Sequence, residues 1–366
     1  MLFRIWAHLS YFVLDFHLYL IILAVSFILG FVAVIRIFRS RQNETSKKIS
    51  ITAVFSIFFI ILVFCFLEAF FRYRYDQSDG LGFLNTNLRW MSRHVVTNTY
   101  GYRDIDFSVQ KPPGVTRIGV VGDSLTMGYG IKDVNMRFSN LLENKLKKNG
   151  FNVQVYNLGE SGLDTCSEIT EFQKVKQLNF DLIIWEYYPN DVEPCDGTSA
   201  GSQIIVKEYA NMNPIITAIR KESFLFDFLY WRFSPIYDTT FAQLRGADLS
   251  QYKNPKILRQ HLDDIATLSA TLQQNSTSHK VINIVFPYLF LLKSDYPAKD
   301  IHKMIDSYLE KQGNTVIDLL PYLIDKKNVA LTVNRFDSHP NEYVHDLAAS
   351  LLYSKIVPIL ESIKNK

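Results

Sequence analysis

The stretch Arg117-Ile118-Gly119-Val120-Val121-Gly122-Asp123-Ser124-Leu125-Thr126-Met127-Gly128-Tyr129-Gly130 decides how this chain is read. It opens on a short apolar run, Ile118–Val121, with the length and β-branched content of a buried parallel strand. The run breaks at Gly122, and a serine stands two residues on. A strand that ends in a glycine turn presents the next side chains at the carboxyl edge of a sheet, where open α/β folds keep their active sites. Gly122–Thr126 therefore has the form of a nucleophile turn, with Ser124 as the candidate nucleophile. A serine in such a place is also an ordinary helix cap or turn residue, so Ser124 needs partners elsewhere in the chain.

They stand near the other end, in Asp337-Ser338-His339-Pro340-Asn341. A serine hydroxyl is a poor nucleophile until a base takes its proton, and the base must itself be oriented. His339 is the expected base. Asp337, two residues earlier in the same pre-helix loop, is expected to hold the imidazole Nδ1–H and stabilise the imidazolium. The tetrahedral intermediate also needs donors aimed at its oxyanion. Three are expected: the Ser124 N–H, the N–H of Gly159 where no side chain obstructs a substrate, and the Asn190 side-chain amide. His345 is the rival base, placed on the last helix, and Glu160 and Asp164 flank the Gly159 turn either as cleft residues or as solvated acids. Arg103 reads as a structural ion-pair partner rather than a substrate-binding cation.

Outward from the nucleophile turn, helices and strands alternate, the pattern of a parallel sheet covered on both faces. Expected helices are Met136–Lys148, about Glu168–Leu178, Pro255–Gln274, Lys299–Gln312 and a last one from Asn341 to Ile363. Expected strands are Val153–Leu158, one opening at Leu182–Trp185, Lys280–Phe286 and Thr315–Leu319. Residues 192–254 break the rhythm, with many aromatics and no clean period, and read as an insertion that either covers the site or serves only for packing.

Gly122-Asp123-Ser124-Leu125, then Asn157-Leu158-Gly159, then Asn190-Asp191, then Asp337-Ser338-His339 resemble the four ordered blocks of the SGNH (GDSL) hydrolase superfamily. The resemblance covers roughly residues 115–364 and places the family's Ser, Gly, Asn and His on Ser124, Gly159, Asn190 and His339. It implies a flavodoxin-like three-layer α/β/α sandwich, sheet order 2-1-3-4-5, that hydrolyses or transfers acyl esters without a metal or other cofactor. One departure stands out: the family's Gly-x-Asn-Asp is here Tyr188-Pro189-Asn190-Asp191, which narrows the approach to the oxyanion pocket. The segments Asn98–Asp104 and His339-Pro340-Asn341 also look like a membrane-anchored bacterial branch associated with acetylation of envelope polysaccharides.

Upstream, Leu18–Ile35 and Ile49–Leu67 are uncharged apolar runs, each long enough to cross the hydrocarbon core as a helix. The connection at 36–48 carries Arg36, Arg39, Arg41, Lys47 and Lys48 against one acid, Glu44, and so belongs in the cytoplasm by the positive-inside rule. Residues 1–71 then form a transmembrane hairpin, 72–114 an extracytoplasmic lead-in, and 115–366 the catalytic domain, periplasmic at a bacterial inner membrane. The net charge of +3 comes with no basic cluster interleaved with base-stacking aromatics, which argues against a nucleic-acid partner. Cys65, Cys166 and Cys195 lack metal-ligand spacing. In an oxidising compartment Cys166 and Cys195 are expected to form a disulfide that pins the insertion to the Gly159 loop.

The expected function is a membrane-anchored serine esterase or O-acyltransferase acting on acyl, preferably acetyl, groups of an envelope carbohydrate, with a multi-span membrane acyltransferase as a possible partner. Two alternatives stand beside it. One is a non-catalytic glycan-binding or scaffold protein for such an exporter, and the other is a lipase or thioesterase.

Overall fold

The computed structural model describes residues 13–193, 200–324, 326 and 331–364. In chain order its elements begin with α1 (His17–Arg39), α2 (Glu44–Tyr73), α3 (Asn85–His94), β1 (Thr116–Gly122), α4 (Ser124–Met127), α5 (Phe138–Lys148), β2 (Val153–Gly159), α6 (Thr165–Gln173) and β3 (Leu182–Tyr187). The next are α7 (Ala200–Ala210), α8 (Pro214–Glu222), α9 (Phe224–Phe233), α10 (Ile236–Gln251), α11 (Pro255–Gln274) and β4 (Val281–Val285). The last are α12 (Lys299–Lys311), β5 (Thr315–Asp318), α13 (Leu320–Leu323), β6 (Thr332–Asn334), β7 (Asp337–Pro340) and α14 (Glu342–Lys364). They sort into two compact units: the described residues up to Asp76 with Pro214–Phe233, and Gln77–Asn213 with Ser234 onward.

In the first unit α1 and α2 are both long and apolar enough to cross a membrane. Only 6% of each apolar stretch is buried, the reverse of a core helix in a soluble domain. Asn43 caps α2, its side chain accepting from the Ser46 N–H at 2.8 Å. At the other end of α2, Glu68 is fully buried and accepts from Ser223 Oγ at 2.7 Å and from the N–H groups of Phe224 and Leu225, both at 3.0 Å. A carboxylate there satisfies the free N–H groups that begin α9 and complements its dipole. The Phe228 ring packs at 4.5 Å from Phe71 and 5.5 Å from Tyr75.

The second unit is built on a five-stranded parallel sheet in the order β2-β1-β3-β4-β5, the flavodoxin-like order. Its inner strands β1, β3 and β4 are buried on both sides, as continuous apolar runs require, whereas the edge strand β5 is half exposed. Ile118, Val120 and Ile184 face a core with Phe138, Leu142 and Leu352 from α5 and α14. Val121, Ile183 and Trp185 face a second core with Phe172, Ile265 and Ile305 from α6, α11 and α12. In register, Gly122 lies opposite Gly159, so the β1 and β2 turns open on the same edge.

Three regions differ from the sequence expectation. The lead-in contains a helix, α3, whose Trp90 is fully buried. The loop expected before the last helix is instead an antiparallel pair, β6–β7, in which Asn334 faces Asp337. The insertion is helical: α8–α9 belong to the first unit, whereas α7 and α10 belong to the second. Helices that bury their faces against different neighbours share no single period, which is why the stretch reads as irregular.

Candidate active site

Strand β1 ends at Gly122, where a Cβ would lie 2.2 Å from Thr126 Oγ1 and 2.5 Å from Glu186 Oε2. Only glycine lets the turn close that tightly. Asp123 then caps α4, its carboxylate accepting the Leu125 N–H at 2.7 Å, and Gly128 at φ 74° ends the helix after one turn. Ser124 is thus the first residue of a one-turn helix at the sheet edge.

Strand β7 delivers the partners. His339 Nε2 lies 2.8 Å from Ser124 Oγ, and His339 Nδ1 lies 2.5 Å from Asp337 Oδ1, which also accepts the His339 N–H at 3.0 Å. Asp337 is fully buried, and the Tyr129 ring packs 4.7 Å from the imidazole. Burial alone would lower the His339 pKa, but the Asp337 charge and hydrogen bond outweigh it and raise the value above its ordinary 6.5. Burial likewise opposes the Asp337 charge, and His339 outweighs it, holding the carboxyl below its ordinary 3.8. With Nδ1–H donated to Asp337, Nε2 is left to accept the Ser124 proton.

The expected oxyanion donors separate. The Gly159 N–H donates to Asn157 Oδ1 at 3.1 Å, and a Cβ on Gly159 would stand 2.2 Å from Met127 N. Gly159 is therefore a close-packing glycine between β2 and α4, and its expected place as a substrate-facing donor is corrected. Gly162 instead lines the cleft, at φ 85°, and among the described residues no partner takes its N–H. Two glycines three residues apart in Gly159-Glu160-Ser161-Gly162 look alike in sequence, and only backbone conformation tells them apart. Asn190 does line the cleft, just beyond the end of β3.

The cleft holds about 290 Å³, bounded among others by Asp79, Tyr188, Arg245 and Leu289. Asp79, from the lead-in, accepts the N–H groups of Leu81 (2.9 Å) and Leu84 (2.7 Å) and the Tyr237 hydroxyl (2.6 Å). Arg245, on α10, donates to Asp248 at 2.7 Å, and its guanidinium lies 5.2 Å from the Phe241 and Tyr288 rings. Burial, opposed by Arg245, pushes the Asp248 carboxyl up to about 6. Neither wall residue carries a sequence signal, because both come from segments without a readable period.

Behind the nucleophile turn, Asp123, Glu168, Glu186 and Asp191 are all buried. Glu186 accepts the Asp123 N–H and the Thr126 hydroxyl, both at 3.2 Å, and Asp191 accepts the Tyr188 N–H at 3.0 Å. Burial first, and mutual repulsion second, hold Glu168, Glu186 and Asp191 well above the carboxylate range.

The remaining sequence candidates fall into place around this. His345 is fully buried on α14, accepts the Phe138 N–H at 3.2 Å and is pushed down to about 3 by burial, so it is a neutral core residue. Arg103 is buried and donates to the carbonyls of His94, Gly128 and Ile131, each at 2.7 Å, which pins the loop after α4. Asp164 lines the cleft and caps α6 through the Ser167 N–H at 2.7 Å, whereas Glu160 is exposed. Cys166 is in a disulfide, and its expected partner, Cys195, lies outside the described residues.

No family model matches the chain, and no curated protein does. Among solved structures it is similar to TesA, at 13% identity and a TM-score of 0.39, over 66% of this chain and 99% of that one. It is similar to the lipase/acylhydrolase from Enterococcus faecalis at 16% identity and a TM-score of 0.40, over 66% and 95% of the two chains. The acetyl xylan esterase AlAXEase matches at 14% identity and a TM-score of 0.38, over 66% and 99%. Likenesses this distant leave the chemistry to be argued from the site itself.

Proposed function

We propose that the chain is a serine ester hydrolase or O-acyltransferase of the SGNH (GDSL) type, anchored in a bacterial inner membrane by α1 and α2 with its catalytic domain periplasmic. The observation that carries this reading is the hydrogen-bonded chain from Ser124 Oγ to His339 (2.8 Å) and from His339 to buried Asp337 (2.5 Å). Ser124 attacks the ester carbonyl as His339 takes its proton, and Asp337 steadies the imidazolium. The oxyanion is met by the N–H groups of Ser124 and Gly162 and by the Asn190 amide. His339 returns the proton to the leaving alcohol, and the acyl group passes from Ser124 to water or to a sugar hydroxyl.

An acetyl ester on an envelope polysaccharide is the substrate class that suits a tethered periplasmic site. In the transfer direction, a multi-span membrane acyltransferase would supply the acyl group. A second reading has its own observation. A groove of about 630 Å³, lined largely by apolar side chains including Phe241, Phe290, Leu249 and Phe336, shares Phe241, Arg245 and Ser338 with the cleft. Such a groove favours a longer acyl chain, as in a lipase or thioesterase.

The test is intact-mass labelling of the detergent-solubilised full chain with a fluorophosphonate, beside Ser124→Ala, followed by a series of acyl esters from acetyl to octanoyl. One adduct on the native chain and none on the variant is expected, with acetyl preferred. Preference for octanoyl would select the second reading. Absence of any adduct on the folded chain would replace both with a glycan-binding module.

A further inference from the structure

Helices α8 and α9 bury an ion pair and leave large apolar side chains outside, unusual for a water-facing pair. Arg220 and Asp227 are buried and joined at 2.8 Å, with the Arg220 guanidinium 4.2 Å from the Trp231 ring. Meanwhile Ile219 is 45% exposed, Leu229 41% and Phe233 81%. On α9 the exposed pair Leu229 and Phe233 is four residues apart, and on α8 Ile215 and Ile219 repeat that spacing, so each helix carries an apolar stripe on its outer side. Large apolar side chains left outside, above a buried ion pair, suit a medium that is itself apolar on one side.

Where the pair is fastened says which medium. The Tyr19 hydroxyl donates to the Glu222 carbonyl at 2.9 Å, and the Arg72 guanidinium donates to the same carbonyl. Glu68 holds the first N–H groups of α9. Tyr19 begins the apolar part of α1, and Glu68 and Arg72 follow the apolar run of α2, so the α8–α9 junction sits where the hairpin's apolar band stops. Tyr75 packs 5.5 Å from Phe228 and Tyr230 lies 5.1 Å from the Arg220 guanidinium, both half-buried and of the residue type that populates a membrane–water boundary. Just below, Phe66 and Phe70 are exposed at 70% and 42%, so the apolar surface of the pair continues that of the hairpin. Exposed Lys221 and Arg232 stand on the same two helices, in reach of lipid phosphates.

We infer that α8–α9 is a monotopic membrane element, seating its outer apolar faces in the headgroup–acyl boundary of the leaflet nearest the catalytic domain. The inference rests on α1 and α2 spanning the bilayer. It makes the insertion a second, non-spanning foothold, so that the polypeptide leaves the membrane surface at three points (after Asp76, before Pro214 and after Phe233) instead of one.

The experiment uses the full chain with Cys65→Ser, reconstituted into phosphatidylcholine–phosphatidylglycerol vesicles. Single Phe59→Cys, Ile219→Cys and Phe233→Cys variants carry a bimane label, and the acyl chains are brominated either near the headgroup or near the chain end. Labels at 219 and 233 are expected to lose roughly half their fluorescence to shallow bromines and little to deep ones, while 59 shows the reverse. Quenching at 59 with none at 219 and 233 overturns the inference and leaves the spans intact. If 59 is also unquenched, the spanning reading itself has failed. Labels at 219 and 233 that are shielded from aqueous iodide yet untouched by bromine would also overturn it, assigning the face to a protein contact.

Discussion

Asp337 works on His339 by charge, and the sign of that effect is measurable. Because the carboxylate outweighs burial, His339 is neutral and able to accept a proton only above a pKa that exceeds its ordinary 6.5. The acid limb of kcat/KM is therefore expected above that value. In Asp337→Asn the charge goes and the burial stays, so the limb moves to lower pH while kcat falls by about 10⁴. A pH–rate profile of the variant with its limb unmoved would remove Asp337 from this role. Stability follows the same linkage with opposite windows for the two partners. The raised His339 pKa contributes stability below the unfolded histidine value, lost as pH rises through the folded one. The lowered Asp337 pKa contributes above the unfolded carboxyl value, lost as pH falls through the folded one. The two glycines of the next turn make a paired prediction. Gly159→Ala pushes a Cβ to 2.2 Å from Met127 N and should lower the melting temperature sharply. Gly162→Ala, in open space at φ 85°, costs about 1 kcal/mol of backbone strain and should act chiefly on kcat. Equal melting temperatures would contradict the packing role of Gly159, and an unchanged kcat in Gly162→Ala would contradict the assignment of Gly162 to the oxyanion.

Elements are joined around the nucleophile by a residue the sequence shows only as part of a motif. Asn157 on β2 is buried; it accepts the Gly159 N–H at 3.1 Å and donates to the Thr126 carbonyl at 2.6 Å and to Ser139 Oγ at 2.8 Å. One side chain thus ties β2 to α4 and α5. Asn157→Leu keeps the branched outline, adds bulk at a buried site and strands those three groups, so it is expected to cost roughly 3 kcal/mol. Thermal unfolding of the full chain checks this, and a change under about 0.5 kcal/mol would show the bonds to be replaceable. Legibility also divides by element. Strands β1, β3 and β4 could be read because burial on both faces forces continuous apolar runs. Ser124, Asp337 and His339 stand out in the sequence only in combination, since each alone is an ordinary cap or turn residue. Helix α10 could not be read, since the apolar Leu244 and the charged Arg245 and Asp248 all line the cleft, which blurs its stripe. The β6–β7 pair is only three and four residues long, too short for alternation to register.

At the scale of the whole molecule, domain boundaries drawn along the sequence misjudge what belongs together. The apolar hairpin is plain from composition, but nothing in the aromatic run Phe224–Phe233 says that its N-terminus is held by Glu68, some 150 residues earlier. That long-range cap decides how a soluble catalytic piece must be cut. Truncation to residues 77–366 leaves α8–α9 without Glu68, Arg72 and Phe71, exposing the faces that those residues cover in addition to the stripe already outside. The truncated chain is expected to self-associate. Replacing 214–233 of that shortened chain with a flexible Gly/Ser linker removes the sticky surface and leaves the five-stranded sheet, β6–β7 and α10 complete. The double-cut chain should run as a monomer in size-exclusion chromatography without detergent and keep its fluorophosphonate adduct on Ser124. If the simple truncation is already monomeric and the linker version is not, α8–α9 is structural to the catalytic unit, and the division into two units at Asn213 and Ser234 does not describe how the chain folds.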